Sequence, residues 1–405
     1  MIPALRERVR RRILAKAPPI DLSRLDRVPA SLVWPLRRDG AAASHRLEEL
    51  RRAGGVHLLT SFLGMRVWLV TGDAECREVL AAGAERYSTD IRPYVGARGS
   101  STDGDIGGLG FTDPPEHTRL RRLLTPEFTM RRLARLTPRI DAIVAEQLDA
   151  LEAAGPGADL VGEFAFPVPY RMICELLGLD DSESATFRSL ATARFDVSGG
   201  GVGTLGAISD SRAFLIESCR RQRDDPGPGL IGQIIREHGE EISDFDLGGL
   251  ADGVFTGGLE TSASMLALGT LALLEEPVTY AALGVDPLAA GTVVDELLRR
   301  LAVVQVAFPR FPKESHVLGG HEVRPGDVVL CSLLAANRER ATEPSKHLSF
   351  GHGFHRCVGA ELARMELRAA YPALAARFPG LRVVEPPRFR ETSIVFGVDE
   401  LRVAW

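Results

Sequence analysis

Residues 350–359, Phe-Gly-His-Gly-Phe-His-Arg-Cys-Val-Gly, present one cysteine in a glycine-relieved loop that runs straight into a helical pattern at 360–367. Gly351, Gly353 and Gly359 free the backbone to turn sharply and let a flat ligand come close. Cys357 sits just ahead of the helix, so backbone N–H groups and the positive end of the helix dipole face its sulfur. Both effects favour thiolate over thiol. A lone cysteine is more often a small buried hydrophobe; it is the ten-residue context that argues for chemistry here.

A thiolate held this way, with aromatic Phe350 seven residues upstream, suits a haem iron whose axial ligand must donate electron density. The segment resembles the haem-binding signature of the cytochrome P450 superfamily, Phe-x-x-Gly-x-x-x-Cys-x-Gly, matched at Phe350, Gly353, Cys357 and Gly359. By that resemblance Cys357 is the iron ligand and the cofactor is haem b. The fold it implies is mainly α with a smaller β lobe.

The rest of the chain is consistent with that fold. No linker or charge block divides the 405 residues, which read as a single domain. Apolar and turn patterns place β-rich pieces at about 56–71, with two strands joined at Gly64, and at 303–330 and 393–403. Helical periodicity covers 73–80, 116–155, 168–177 and 211–237. Ser243 is an N-cap for a helix from Asp244 to about Glu276, where Pro277 stops it. Residues 88–110, with six glycines, read as a long functional loop.

Five cysteines without disulfide spacing suit a reducing cytoplasm and argue against a built-in iron–sulfur module. The formal charge of −5, spread over mixed faces, argues against nucleic acid as the main partner. Residues 1–16 are basic without an apolar run, so they read as neither signal peptide nor membrane anchor, and the uncharged stretch 261–274 falls short of a span. Only three of the 49 basic residues are lysine, a bias that points to a high-GC bacterial genome.

Gly257-Gly258-Leu259-Glu260-Thr261-Ser262 lies inside the long helix. Each glycine there costs about 1 kcal/mol relative to alanine, so the pair suggests a flat group lying on the backbone. Thr261 is four residues after Gly257, and its hydroxyl competes for that carbonyl. The segment resembles the family's oxygen-activating motif. The resemblance implies that Thr261 hydrogen-bonds the oxygen being activated and that Glu260 helps deliver protons through water.

Glu296 and Arg299 stand at i and i+3 on one helix face and resemble the family's Glu-x-x-Arg pair, a structural element beneath the haem. His117 and Arg121, one turn apart behind Pro114-Pro115, are similar to the haem-propionate helix, and Arg310 and His355 match two further propionate positions. The interval between Asn337-Arg338 and the cysteine loop is shorter than is usual in the family, which puts Arg338 or Arg340 in place of the arginine that completes the Glu-x-x-Arg triad.

The resemblance implies a monooxygenase that inserts one atom of O2 into a largely hydrophobic substrate by hydroxylation or epoxidation. Oxidative coupling, a peroxide-driven reaction and a non-enzymatic haem-thiolate sensor are the alternatives. Electrons come from NAD(P)H through an external ferredoxin and ferredoxin reductase, with Arg119, Arg122 and Arg356 as contact candidates. The pocket wall is assigned to the 88–110 loop, Phe255, Leu259, Val304, Gln305, Phe308, Ile394, Val395 and Phe396, mostly apolar, with Gln305 as an orienting hydrogen-bond partner. The substrate class that fits is a natural product of secondary metabolism, such as an antibiotic precursor, free or tethered to a carrier protein.

Overall fold

The computed structural model describes residues 30–62, 65–94, 109–180, 195–196, 200–340 and 343–405. The basic segment 1–16, the turn at Gly64 and most of the 88–110 loop lie outside the described residues. The longer helices are α1 (His45–Ala53), α2 (Asp73–Ala81), α3 (Glu116–Leu124), α4 (Thr137–Ala154), α5 (Pro167–Leu177), α6 (Gly200–Asp224), α7 (Leu230–His238), α8 (Asp244–Leu274), α9 (Pro277–Val285), α10 (Ala290–Leu301) and α11 (Ala360–Arg377). The helical stretch expected over 211–237 is two helices. Pro226-Gly227-Pro228-Gly229 stands between them, and proline cannot supply the N–H that would continue the ladder.

The axis of the molecule is α8. Ser243 Oγ accepts from the Asp246 N–H at 3.1 Å and starts it, and at roughly 1.5 Å per residue it runs on the order of 46 Å. By length and apolarity alone α8 would cross a membrane, a reading that the count over 261–274 missed. Of its most apolar window, however, 78% is buried inside the protein.

Small residues let α8 pack closely on three neighbours. A Cβ on Gly248 would lie 2.3 Å from Ile216 of α6, one on Gly258 would lie 2.6 Å from Ile173 of α5, and one on Gly269 would lie 1.9 Å from the Tyr371 hydroxyl of α11. Tyr371 uses that closeness to donate to the Met265 carbonyl at 2.5 Å.

The β lobe is built on β1 (Val56–Phe62) and β2 (Met65–Val70), antiparallel, with β3 (Val328–Cys331) added parallel to β2 in the register Val328–Val67 through Cys331–Val70. The expected strand at 303–308 is reduced to two isolated bridges, Val304–Val395 and Val306–Ser332. Ala302 enters it in a left-handed conformation at φ 37° and Pro309 ends it, so a regular ladder has no room to form. A small apolar core joins this lobe to α2 through Trp68, Val70, Val79, Leu80, Val329 and Leu348. The cysteine loop starts at the last of these.

The α7 start rests on the α5 end where two glycine backbones touch: a Cβ on Gly229 would lie 2.2 Å from Gly178 N and 2.4 Å from the Leu177 carbonyl carbon. Gly253, in α8, faces open space. Gly229→Ala should therefore destabilise by about 1–3 kcal/mol through overpacking against backbone. Gly253→Ala should be neutral or stabilising by up to about 1 kcal/mol. Thermal unfolding of the two variants side by side checks the contrast.

Candidate active site

The cysteine loop is held at both ends. Cys357 N–H donates to the Phe350 carbonyl at 2.8 Å, and Gly351 N–H to Leu348 O at 2.7 Å. Gly351 and Gly353 take φ of 69° and 71°, where only glycine is unstrained. A Cβ on Gly353 would also strike the Leu80 carbonyl oxygen at 2.3 Å, so the loop leans directly on the end of α2. Gly359 differs. Its φ is an ordinary −84°, and a Cβ would sit 3.8 Å from Phe128 and 4.0 Å from Cys357 Sγ, which is normal contact. Among the described residues nothing demands glycine there, so the backbone at this position is open to a flat ligand.

Cys357 is exposed as a residue, although its surroundings desolvate the thiol. Burial pushes its thiol up. The Gly359 N–H and the Arg121, Arg356 and Arg364 guanidiniums pull it back without cancelling that effect. The Gly359 N–H acts in the direction expected of loop and helix, but burial outweighs it, and a metal cation bound beside the sulfur would favour the thiolate further.

His117, Arg121, Arg310 and His355 come together around this loop. The rings of His117 and His355 are 4.4 Å apart and that of Phe354 lies 4.4 Å from His355. Burial, then Arg121, lowers the His117 pKa to about 4; burial, then Arg310, His117 and Arg121, lowers that of His355 to about 3. Both arginines are also pushed below their usual range, first by burial. The neighbouring carboxylate, Asp113, is engaged by the Ser88 hydroxyl at 2.6 Å and the Thr89 N–H at 2.9 Å. Buried His117 Nε2 has no partner among the described residues. Two guanidiniums and two neutral imidazoles gathered beside a single carboxylate suit a ligand that brings its own carboxylates, as haem b does. The donor set fits.

On α8 the face at Gly253, Gly257 and Thr261 is the open one. Thr261 Oγ1 donates to the Gly257 carbonyl at 2.6 Å, as its spacing suggests. A Cβ on Gly257 meets nothing, whereas Gly258 turns onto Ile173, so only the first glycine of the pair offers its backbone to a ligand. Glu260 is buried and not open to the outer solvent. It is 1% exposed and ion-paired to Arg390, whose Nε also donates to Asp399 at 2.7 Å.

The expected pocket wall divides. Phe308 is 48% exposed, with its ring 4.9 Å from Phe111, and Val304 and Ile394 are partly exposed. Phe255 and Leu259 instead pack into the core beside Tyr170, and Val395 and Phe396 are buried, the latter stacked on Phe389. Gln305 is not free to orient a substrate. Its Oε1 accepts from Arg38 at 2.9 Å, and its Nε2 donates to Leu36 O and Ser393 O at 2.8 and 3.0 Å, so it is a joint between segments.

Arg299 makes a two-pronged pair with Glu296 at 2.7 Å and sends its remaining nitrogen to the Asn337 carbonyl at 3.0 Å. Arg338 does not complete that group; it pairs with Glu48, and the Arg340 side chain lies outside the described residues. Asn337 takes the linking role instead. Its amide donates to Ser349 and accepts from the Leu348 N–H, fastening the start of the cysteine loop. Asn337, Arg364 and Arg390 were not legible as site-supporting residues from spacing, because each acts across long sequence separations. Arg119 is withdrawn from the free cationic surface, being paired with Glu116 and Asp246. Arg122 and Arg356 remain exposed.

No family model matches the chain. It is 37% identical to cytochrome P450 165B3 of Amycolatopsis orientalis over 392 residues, 91% of this chain and 98% of that one. Among solved structures it is similar to the mycinamicin VIII C21 methyl hydroxylase MycCI of Micromonospora griseorubida, with a TM-score of 0.84, 31% identity and coverage of 92% and 99%. It is also similar to OxyB in a complex with the X-domain from teicoplanin biosynthesis, with a TM-score of 0.77, 39% identity and coverage of 92% and 99%. The chain belongs to the cytochrome P450 family: it is a mainly α haem b enzyme that uses O2 with electrons from NAD(P)H delivered by redox partners.

Proposed function

We propose that this chain oxidises a largely hydrophobic natural product by hydroxylation or epoxidation, with Cys357 as the thiolate ligand and His117, Arg121, Arg310 and His355 holding the haem carboxylates. The observation that carries this reading is the convergence of two guanidiniums and two imidazoles, with an unpartnered His117 Nε2, beside a loop that presents one sulfur. Bound haem supplies the electron-rich iron at which O2 is reduced and one of its atoms passed to carbon. The chain's own work is positional. Thr261 keeps a hydroxyl on the open face of α8, and Arg390 pairs with Glu260 one residue away. Phe308, Val304 and Ile394 present apolar surface that excludes water from the substrate.

A second reading is oxidative coupling on a carrier-tethered peptide. It is favoured by 39% identity to an OxyB captured with an X-domain. The two readings differ in the fate of oxygen. With labelled O2, hydroxylation or epoxidation places the label in the product, whereas coupling removes two hydrogens and leaves the product unlabelled.

Reduction needs an external donor, and a ferredoxin is the partner that fits. Beside exposed Arg122, residues Pro126, Thr129, Arg131, Arg132 and Arg135 line a surface hollow of about 550 Å³. Phe128 of the same segment packs at the Gly359 end of the cysteine loop. Arg132 and Arg135 are paired with Glu127, so Arg122 and Arg131 are the groups that would meet acidic side chains of a cytoplasmic donor.

Three outcomes check these assignments. The carbon monoxide difference spectrum of the reduced protein should show a strongly red-shifted Soret band that is lost in Cys357→Ser. Thr261→Ala should lower product formation on the order of a hundredfold while NAD(P)H consumption persists, read by product yield per NAD(P)H. Reversing Arg122 and Arg131 to Glu should slow reduction by ferredoxin at low salt and leave substrate-induced spectral shifts unchanged; unaltered reduction kinetics would remove this face as the docking surface.

A further inference from the structure

Arg364 lies seven residues after Cys357, one face of α11 turned toward the loop. It is only 7% exposed, unlike Arg356, which reaches the surface. Its guanidinium is held by two carboxylates, with a histidine ring beside it. Nε donates to Asp295 Oδ1 at 2.9 Å, one terminal nitrogen to Glu361 Oε1 at 2.9 Å, and the other lies 3.4 Å from His347 Nε2. The plane so fixed lies over the Phe350 ring, 4.7 Å from its centroid, a separation at which the ring's negative face attracts a cation. Phe350 is the residue whose carbonyl accepts the Cys357 N–H.

His347 completes the enclosure. Its ring centroid is 5.5 Å from that of Phe350. The Ser349 N–H donates to its Nδ1 at 3.1 Å, which leaves the proton on Nε2, and burial followed by Arg364 lowers its pKa to about 4, so it is neutral. Arg364 is therefore the buried, immobilised cation among the three whose positive charge reaches the sulfur. A buried charge is little screened by salt and keeps a fixed direction. A mere structural arginine would need its carboxylates but not a stacked aromatic that leads back to the ligand residue.

We propose that Arg364 is a positioning residue that, through its stacking on Phe350, stabilises negative charge on the Cys357 sulfur and so raises the reduction potential of the iron it holds. The inference rests on the reading of Cys357 as the axial ligand. It assigns to α11 an electrostatic control that acts from behind the loop, in the manner by which groups outside the coordination sphere tune a metal.

The test is spectroelectrochemical titration of the haem-loaded full chain, with the carbon monoxide difference spectrum recorded on each variant. Arg364→Gln should keep the red-shifted band and make reduction on the order of tenfold less favourable, a shift of about 59 mV to more negative potential for a one-electron couple. Arg364→Lys, which keeps the charge, should recover most of that shift. Arg377→Gln, on the same helix but at the surface, should leave the potential at the wild-type value. A band present with no shift in Arg364→Gln overturns the inference alone, as does a Lys variant shifted as far as the Gln variant, since shape and not charge would then be at work. If Arg364→Gln loses the band, the Lys variant decides: wild-type potential and band support the inference, and a loss there too overturns it. A wild-type protein with no red-shifted band removes the ligation reading itself.

Discussion

Close approach of α8 to its neighbours is the constraint on which the rest of the molecule depends. Gly248, Gly258 and Gly269 lie at successive levels along that helix and each admits a different partner, α6, α5 and α11. The Tyr371 hydroxyl reaches the Met265 carbonyl only because position 269 has no side chain. That crossing fixes α11 against α8, and α11 begins directly after Gly359. The spacing between the sulfur-bearing loop and the Thr261 face of α8 is thus set by helix packing, and the loops need only hold orientation.

The loop itself is fastened by a relay that starts far from it. Arg299 binds Glu296 and the Asn337 carbonyl, Asn337 binds Leu348 and Ser349, and Ser349 Oγ returns to the Leu298 carbonyl at 2.7 Å. A hydrogen bond to a charged group contributes on the order of 1.5–3 kcal/mol net, and Arg299 is buried, so its removal would leave several polar groups unsatisfied together. This accounts for a short connection between Asn337 and the loop: Asn337 reaches both ends of the relay without a further arginine.

Legibility from sequence followed the range of the interaction. The Cys357 loop, the Ser243 cap, the Thr261 back-bond to Gly257 and the Glu296–Arg299 pair depend on residues within ten positions of each other, and all four have the geometry their spacing suggests. Gln305 reads as a polar residue in an apolar wall, yet its partners Arg38, Leu36 and Ser393 are between 88 and 269 residues away. Phe255 and Phe396 were placed by position along the chain, but the face each presents is set by Tyr170 and Phe389. A hydrophobic residue bordering a cavity and one bordering a core have the same sequence signature. Arg390, the partner of Glu260, lies 130 residues from it and carries no local signal.

Electrostatics ties the site to its ligand more firmly than shape does. Arg121, Arg310, His117 and His355 are each shifted against protonation by burial, and the two histidines are neutral at ordinary pH. Taking cations out of water without anions is costly, and Asp113 already serves Ser88 and Thr89. Two carboxylates arriving beside these groups would reverse the local balance, pairing the arginines and giving His117 Nε2 a partner. The sulfur shows the complementary condition: its thiol is raised by burial while three guanidiniums oppose the rise. Both halves are under-compensated in the same direction that one ligand corrects, a metal beside the sulfur and acids beside the cations. A fold that leaves two such deficits at one place has been shaped around a group carrying both, so loading with haem should stabilise the chain as well as equip it for chemistry.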